Sequence, residues 1–331
     1  MKLNKIALLL STVCFTSQAS NFVTIIDQEK SNYEVGGFET IIEHTNWVFD
    51  REDNCSYDKN EEDYYYGVPF TKIKTCDQLE TRTKTVKIVY NSGFEEVLST
   101  TKEERISGQL SKAPESTIGT HLEASCKDAL AFDNTLTTQR YTIAVPNEGN
   151  VRVTCDMDTD GGGWTIIQYR NSFYDFYKDW ETYKNGFGTS SNFWLGNKYI
   201  HEITKTGTQE LYVELIHGNG EKRYARYTNF ALDSEVTNYT LRISGYSGNA
   251  NDSLTGHNNY QFSTKDRDND SNKKDNCAVR FKGAWWYSAC HSSNLNGYYY
   301  NGNHTSYADG MNWYHWTGHY YSLPKTKMMI R

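Results

Sequence analysis

Short β-branched and aromatic runs separated by polar turns fill the first third of the chain. Phe22-Val-Thr-Ile-Ile26, Glu39-Thr-Ile-Ile42, Trp47-Val-Phe49, Phe70-Thr-Lys-Ile-Lys74 and Thr85-Val-Lys-Ile-Val-Tyr90 have the length and residue types of strands. Asn91-Ser-Gly93 is turn chemistry. A small β-rich sandwich or meander is expected over residues 20–115. The acidic stretch Asp58 to Asp63, followed by Tyr64-Tyr-Tyr66, reads as a solvated hairpin tip. Lys112-Ala-Pro-Glu-Ser-Thr-Ile-Gly119 has linker character and places a boundary there, with a second domain over 116–331.

The pattern changes from Ser125. Cys126-Lys-Asp-Ala-Leu-Ala is a short helix-prone run. Tyr141-Thr-Ile-Ala-Val145 and Val151-Arg-Val-Thr-Cys155 predict a hairpin around Pro146-Asn-Glu-Gly149. Three glycines precede Trp164 and let the backbone turn tightly against its neighbours. Asn197 to Thr204 predicts a short helix. Leu211–Ile216, Arg223–Tyr227 and Tyr239–Ile243 predict strands. Regular periodicity then fades into loops until the closing run Lys327-Met-Met-Ile330.

The first residues look like a processing signal. Lys2 and Lys5 precede the apolar run Ile6 to Phe15, and Ser17-Gln-Ala19 presents small residues for cleavage after Ala19. Residues 1–19 are therefore expected to be a signal peptide, and the product to be secreted. Their loss makes the chain two charges more negative than its formal −7. A mildly acidic chain without a Lys/Arg block lacks the electrostatic footprint of a nucleic-acid binder. No later stretch approaches the ~20 apolar residues of a membrane span.

With Cys14 removed, six cysteines remain: Cys55, Cys76, Cys126, Cys155, Cys277 and Cys290. An even count in a secretory context implies three disulfides. Sequence order suggests that neighbours pair, among the roughly fifteen formal connectivities of six cysteines. Asn54, Asn238, Asn251, Asn269 and Asn303 each begin an Asn-x-Ser/Thr sequon. Residues 20–331 hold no heptad or Gly-x-y stalk for assembly.

Candidate chemistry concentrates between Lys265 and Gly297. Asp266, Asp268 and Asp270 alternate, so their carboxylates can converge on one hard cation with backbone carbonyls completing an oxygen shell, as Ca²⁺ accepts. The same pattern also suits a solvated, turn-rich loop. Gly283-Ala-Trp-Trp-Tyr287 and Cys290-His-Ser-Ser-Asn-Leu-Asn-Gly297 add rings that wall a pocket or fill a core. Catalysis finds no support: the chain has no Gly-x-Ser-x-Gly elbow, phosphate loop or His-Glu-x-x-His motif.

Several motifs in order carry a resemblance. They are Cys155-Asp-Met-Asp-Thr-Asp-Gly-Gly-Gly-Trp-Thr, Asp179-Trp-Glu-Thr-Tyr-Lys-Asn-Gly-Phe-Gly, Phe193-Trp-Leu-Gly-Asn, Asp252-Ser-Leu, Phe262-Ser-Thr-Lys-Asp-Arg-Asp-Asn-Asp, Asn276-Cys-Ala, Gly283-Ala-Trp-Trp-Tyr, Cys290-His-x-Ser-Asn-Leu-Asn-Gly and Tyr307-Ala-Asp-Gly. From about Ser125 onward the chain resembles the fibrinogen-related C-terminal domains, the family of fibrinogen chain ends, ficolins, tachylectins and angiopoietins. The resemblance does not extend to residues 20–115.

It implies an α+β fold: a twisted antiparallel sheet with short helices and a loop-rich calcium-binding subdomain, preceded here by the smaller β-rich region. It implies calcium on the side chains of Asp268 and Asp270, with Asn272 and Lys274 as candidates for the carbonyl ligands; this loop is one residue longer before Cys277 than in many relatives. It implies a cis peptide at Ala289-Cys290. In lectin-type relatives acetyl groups bind beside the second disulfide; here His291 and the Cys290 amide would hold the acetyl oxygen. Phe281, Tyr307 and Ala308 would wall the methyl. Phe281 stands for a Tyr of several relatives, Ala289 for a common Asn, and His319 for an aromatic over the sugar. The function this implies is a secreted, calcium-dependent lectin for acetylated glycans in innate recognition of microbes; the weak affinity of a single acetyl site then calls for a homo-oligomer. The alternative is an extracellular ligand or matrix module that binds a protein partner on the same face.

Overall fold

The computed structural model describes residues 29–31, 38–205, 207 and 209–331. The expected signal peptide, Cys14 and the run Phe22–Ile26 lie outside the described residues. The chain divides into two compact units, one of residues up to Lys59 with Lys72–Glu115, the other of Asn60–Thr71 with Ser116–Arg331.

In the first unit two 17-residue strands, Lys74–Tyr90 and Glu95–Ser111, form a long antiparallel hairpin. The far edge of Lys74–Tyr90 pairs with Phe38–His44 and Val48–Tyr57, and Glu29–Ser31 pairs with Phe38–His44. The unit is one sheet rather than a sandwich. Cys76 and Leu79 are its buried apolar residues among those described, and Cys55–Cys76 staples two neighbouring strands. Glu95–Ser111 carries no apolar alternation. Cross-strand ion pairs accompany its pairing, Arg82 with Glu103 at 2.7 Å and Arg105 with Glu80 at 2.8 Å.

The second unit is built on a nine-stranded sheet. Its order is Phe187–Gly188, Asn192–Trp194, Trp164–Arg170, Lys325–Ile330, Gln209–Ile216, Lys222–Leu232 and Leu241–Gly248. The predicted hairpin, Gln139–Val145 with Gly149–Asp156, pairs with the first half of Trp164–Arg170, whose second half pairs with Asn192–Trp194. The closing run is thus a central strand, and Met328, Met329 and Ile330 are buried. Helices Cys126–Phe132, Trp180–Asn185 and Asn197–Thr204 flank the sheet. Ser125 and Asp179 cap the first two, accepting from the N–H of Asp128 at 3.1 Å and of Thr182 at 2.9 Å.

The glycine triplet has a steric reason. Gly162 and Gly163 have φ of +75° and +74°. A Cβ on Gly162 would lie 2.2 Å from the Met157 carbonyl oxygen, and one on Gly163 2.9 Å from the Cα of Lys127. Segment Asn60–Thr71 belongs to this unit through Tyr65, whose ring is buried and whose hydroxyl donates to the Thr142 carbonyl at 2.9 Å. The neighbouring cysteines pair here as well, Cys126–Cys155 and Cys277–Cys290.

After Leu241–Gly248 the chain makes loops, two-residue strand pairs and two four-residue helices, Cys277–Arg280 and Tyr314–Thr317. Buried polar groups fasten these loops to the sheet. Arg170 is fully buried and donates through Nη1 to the carbonyls of Leu295 at 3.2 Å and Gly297 at 2.6 Å. Gln168 donates to the Leu295 carbonyl at 3.2 Å and to Asn296 Oδ1 at 3.0 Å. Burial pushes the Arg170 guanidinium down to about 10. No described helix is long and apolar enough to cross a membrane.

Candidate functional site: the disulfide-flanked loop and its aromatic rim

The acidic loop coils through successive side-chain turns. Asp268 Oδ1 accepts from the N–H of Asp270 at 3.2 Å, Asp270 Oδ1 from Asn272 at 2.7 Å, and Asn272 Oδ1 from Lys274 at 3.1 Å. Each is an Asx turn, which an Asp/Asn at every second position favours. Asp270 Oδ2 also accepts from the N–H of Cys277 at 2.7 Å, fastening the loop to the disulfide. Asn272 turns its amide toward the sulfur of Cys290, 3.7 Å away.

Asp266 has another task. Its Oδ1 accepts from the N–H of Trp180 at 3.0 Å and the Thr264 hydroxyl at 2.8 Å, tying the loop to a helix start. Asp268 and Asp270 are left as the neighbouring pair. Burial, reinforced by the Asp268 carboxylate, raises the Asp270 carboxyl above its ordinary range despite two backbone donors. Two neighbouring carboxylates followed by backbone carbonyls offer the oxygen donors that suit a calcium ion. The Asn272 and Lys274 carbonyls accept no hydrogen bond among the described residues.

Trp285, Trp286 and Tyr287 are core, each fully buried. Trp286 Nε1 donates to the Tyr239 carbonyl at 2.9 Å and the Tyr287 hydroxyl to Asn294 Oδ1 at 2.7 Å. The Ala289-Cys290 peptide is cis. His291 follows it, with Nε2 3.0 Å from the Ala308 carbonyl. A carbonyl only accepts, so Nε2 carries the proton and Nδ1 is a bare acceptor. That Nδ1 is buried without a partner, as is Nδ1 of His319. Burial, with His257 and His319 nearby, pushes His291 down to about 3.

His257 gave no signal in the sequence. It is buried; Nδ1 donates to the Trp286 carbonyl at 2.8 Å, and Nε2 accepts from the amides of Ser292 and Ser293 at 3.1 and 3.3 Å. It fixes the backbone just after His291, and burial pushes it down to about 4.

The expected wall residues separate by exposure. Phe281 and Ala308 are 5% and 1% exposed, whereas Tyr307 is 54% exposed. Phe281 meets His291 edge-on at 4.7 Å between ring centres, and His291 meets His319 at 5.7 Å. His319 continues to Tyr307 at 5.1 Å and stacks on Tyr314 at 4.5 Å; Tyr307 reaches Tyr320 at 5.6 Å. A continuous chain of rings therefore runs from the disulfide flank to an exposed rim of Tyr307, Tyr314 and Tyr320. Beneath it, Asp309 accepts from Lys282 at 2.7 Å, Tyr300 at 2.9 Å and Ser306 at 2.6 Å. Asp309 thereby holds the turn in which Ala308 takes φ +62°.

A sheet of this order carrying a disulfide-closed, loop-rich subdomain defines a fibrinogen-like globe. Residues 122–331 match the C-terminal globular domain of fibrinogen beta and gamma chains. Among solved structures, the fibrinogen-like globe domain of human ANGPTL2 is 43% identical, covering 63% of this chain and 98% of that one, with TM-score 0.61. That of human ANGPTL6 is 38% identical, covering 65% and 97%, with TM-score 0.61. Lamprey fibrin D-dimer, solved with the peptide ligand Gly-His-Arg-Pro-amide, is 31% identical, covering 63% and 73%, with TM-score 0.59. The chain belongs to the fibrinogen C-terminal domain family. Members of such families are generally binding modules, and disulfide-bonded domains of this kind are typical of extracellular proteins.

Proposed function

We propose that the fibrinogen-like unit is a secreted, non-catalytic module that binds a protein or peptide through the rim of Tyr307, Tyr314, His319 and Tyr320. One observation carries this reading: three tyrosines, each about half exposed, form one rim over a hydrogen-bonded base, Tyr307 packing on Tyr320 and both Tyr307 and Tyr314 packing on His319. Exposed tyrosines bring large apolar area at little entropic cost and are enriched at the energetic centres of protein interfaces. The peptide complex of the lamprey relative supports the same reading. Asp268 and Asp270, with the Asn272 and Lys274 carbonyls, would hold a calcium ion that neutralises the loop beside the disulfide.

Recognition of acetylated glycans is the second reading. The bare Nδ1 of His291 favours it, since an acetamido N–H is a suitable donor. It stands second because Phe281 and Ala308, the expected methyl walls, are closed to solvent, and because Nε2 of His291 is already engaged.

The test compares the two ligands on one protein. Binding to a panel of cell-surface ectodomains is measured for the wild type and Tyr307→Ala/Tyr320→Ala. Retention on N-acetylglucosamine resin is measured with calcium, chelator and free acetate. Saturable binding to an ectodomain that the double variant loses supports the first reading. Resin retention released by acetate, with no ectodomain bound, puts the glycan first.

A further inference from the structure

The groove beside Asn303 has a different character from the rim. Asn303 lies in the two-residue strand Gly302–Asn303, directly opposite Tyr321. Residues opposite one another in an antiparallel pair send their side chains to the same face, about 5 Å apart. Tyr321 stacks on His217 at 4.3 Å with 5° between planes, and Trp316 lies 5.9 Å from the same histidine. With Tyr320 and Glu221 they line an open groove of ≈ 290 Å³. It offers flat rings along its floor and a carboxylate at its edge.

The sequons differ in what the fold does with their amides. Nδ2 of Asn54 donates to Asp77 at 3.1 Å, that of Asn238 to Gln261 at 2.9 Å, that of Asn251 to the His315 carbonyl at 2.9 Å, and that of Asn269 to the Phe262 carbonyl at 2.7 Å. Among the described residues Asn303 alone of the five is exposed with no hydrogen bond from its side chain. Its sequon is completed by Thr305.

We propose that Asn303 is N-glycosylated and that the first sugar, an N-acetylglucosamine, lies in this groove against Trp316 and Tyr320. The donor is a lipid-linked diphospho-oligosaccharide of the secretory pathway. The Nδ2–C1 bond forms and the bond from C1 to the phosphate oxygen breaks. The lipid diphosphate leaves, and one amide proton passes to a base of the transferase. The pyranose then sets its C–H face on the rings and its polar edge toward Glu221. Because Tyr320 belongs to both groove and rim, the glycan borders the ligand face. The proposal depends on the extracellular reading but not on the identity of the ligand.

The experiment uses the full chain expressed in cells with secretory N-glycosylation. Peptide mass spectrometry of the exported protein is expected to find a hexosamine-linked glycan on Asn303 that Asn303→Gln and Thr305→Ala both lose. Under native conditions, peptide-N-glycosidase should release this glycan several-fold faster from Tyr320→Ala and Trp316→Ala than from wild type, with equal rates after denaturation. Exported protein with unmodified Asn303 overturns the proposal alone, as do equal native release rates in wild type and the folded Tyr320→Ala protein. Unmodified Asn303 in a chain found only in the cytosol overturns it together with the extracellular reading.

Discussion

Nε2 of His291 donates to the carbonyl oxygen of Ala308 at 3.0 Å, joining the residue after the Cys277–Cys290 disulfide to the turn that carries Tyr307. The bond spans 17 residues and ties the disulfide flank to the neighbour of the rim residue Tyr307. Ala308 has a positive φ, rare for a residue with a Cβ, so the turn depends on contacts imposed from outside it.

His291→Phe keeps a ring against Phe281 but removes the donor, leaving a buried carbonyl unsatisfied. The expected loss of stability is about 1–3 kcal/mol, read by urea denaturation. Binding at the rim should fall further than this under conditions where the variant is still fully folded. Unchanged stability together with unchanged binding would refute the role given to this bond.

Stability should fall on mild acidification. His257 is neutral in the fold and pushed down to about 4; His291 is pushed down to about 3. An unfolded histidine titrates near 6.5. Below that pH the unfolded chain takes up protons that the folded chain refuses, so stability is complete above about 6.5 and is lost as pH falls toward the folded values. For His257 alone the loss at pH 5 is about 2 kcal/mol. Thermal midpoints at pH 7 and 5 test this, and His257→Gln should flatten the dependence while lowering the pH 7 midpoint.

Arg170→Met should destabilise the second unit by about 1–3 kcal/mol, because it strands the Gly297 carbonyl in the core and leaves the Leu295 carbonyl to Gln168 alone. The loops they belong to, rather than the sheet, should lose protection first. Hydrogen exchange resolved by peptide would show faster opening across 293–313 than across 209–216. Uniform exchange across both would instead mean that Arg170 acts only on the fold as a whole.

What the sequence made legible follows the range of each interaction. Helix Cys126–Phe132, the hairpin around Pro146 and the strands after Leu211 are specified by local patterning and appear where expected. The strand Glu95–Ser111 did not announce itself, since its residues are polar and its pairing rests on a 17-residue partner. In the loop-rich part, side-chain alternation exposed Asp268 and Asp270 because Asx turns are local. It also drew in Asp266, whose partner Trp180 is 86 residues away. Phe281, His291 and Ala308 were placed together by resemblance, and they do meet. Their burial and the tautomer of His291 come from contacts that spacing cannot reveal.

The proposed calcium site yields a prediction whose sign reverses with the ion. Without metal, Asp270 has a raised carboxyl because burial and Asp268 both oppose its charge. An acid with a raised folded pKa opposes folding once it is ionised, and that opposition is relieved as pH falls through the folded value. In chelator, Asp270→Asn should therefore be no less stable than wild type. Its amide oxygen can still accept from the N–H of Asn272 or Cys277. With calcium the order inverts. Wild type gains stability by mass action, about 2.7 kcal/mol at a hundredfold excess over the dissociation constant, and Asp270→Asn gains little. Melting curves of both proteins across a calcium titration decide the matter. A wild-type midpoint that calcium does not raise, or an equal rise in Asp270→Asn, would remove the ion from this loop and leave the Asx turns as its whole explanation.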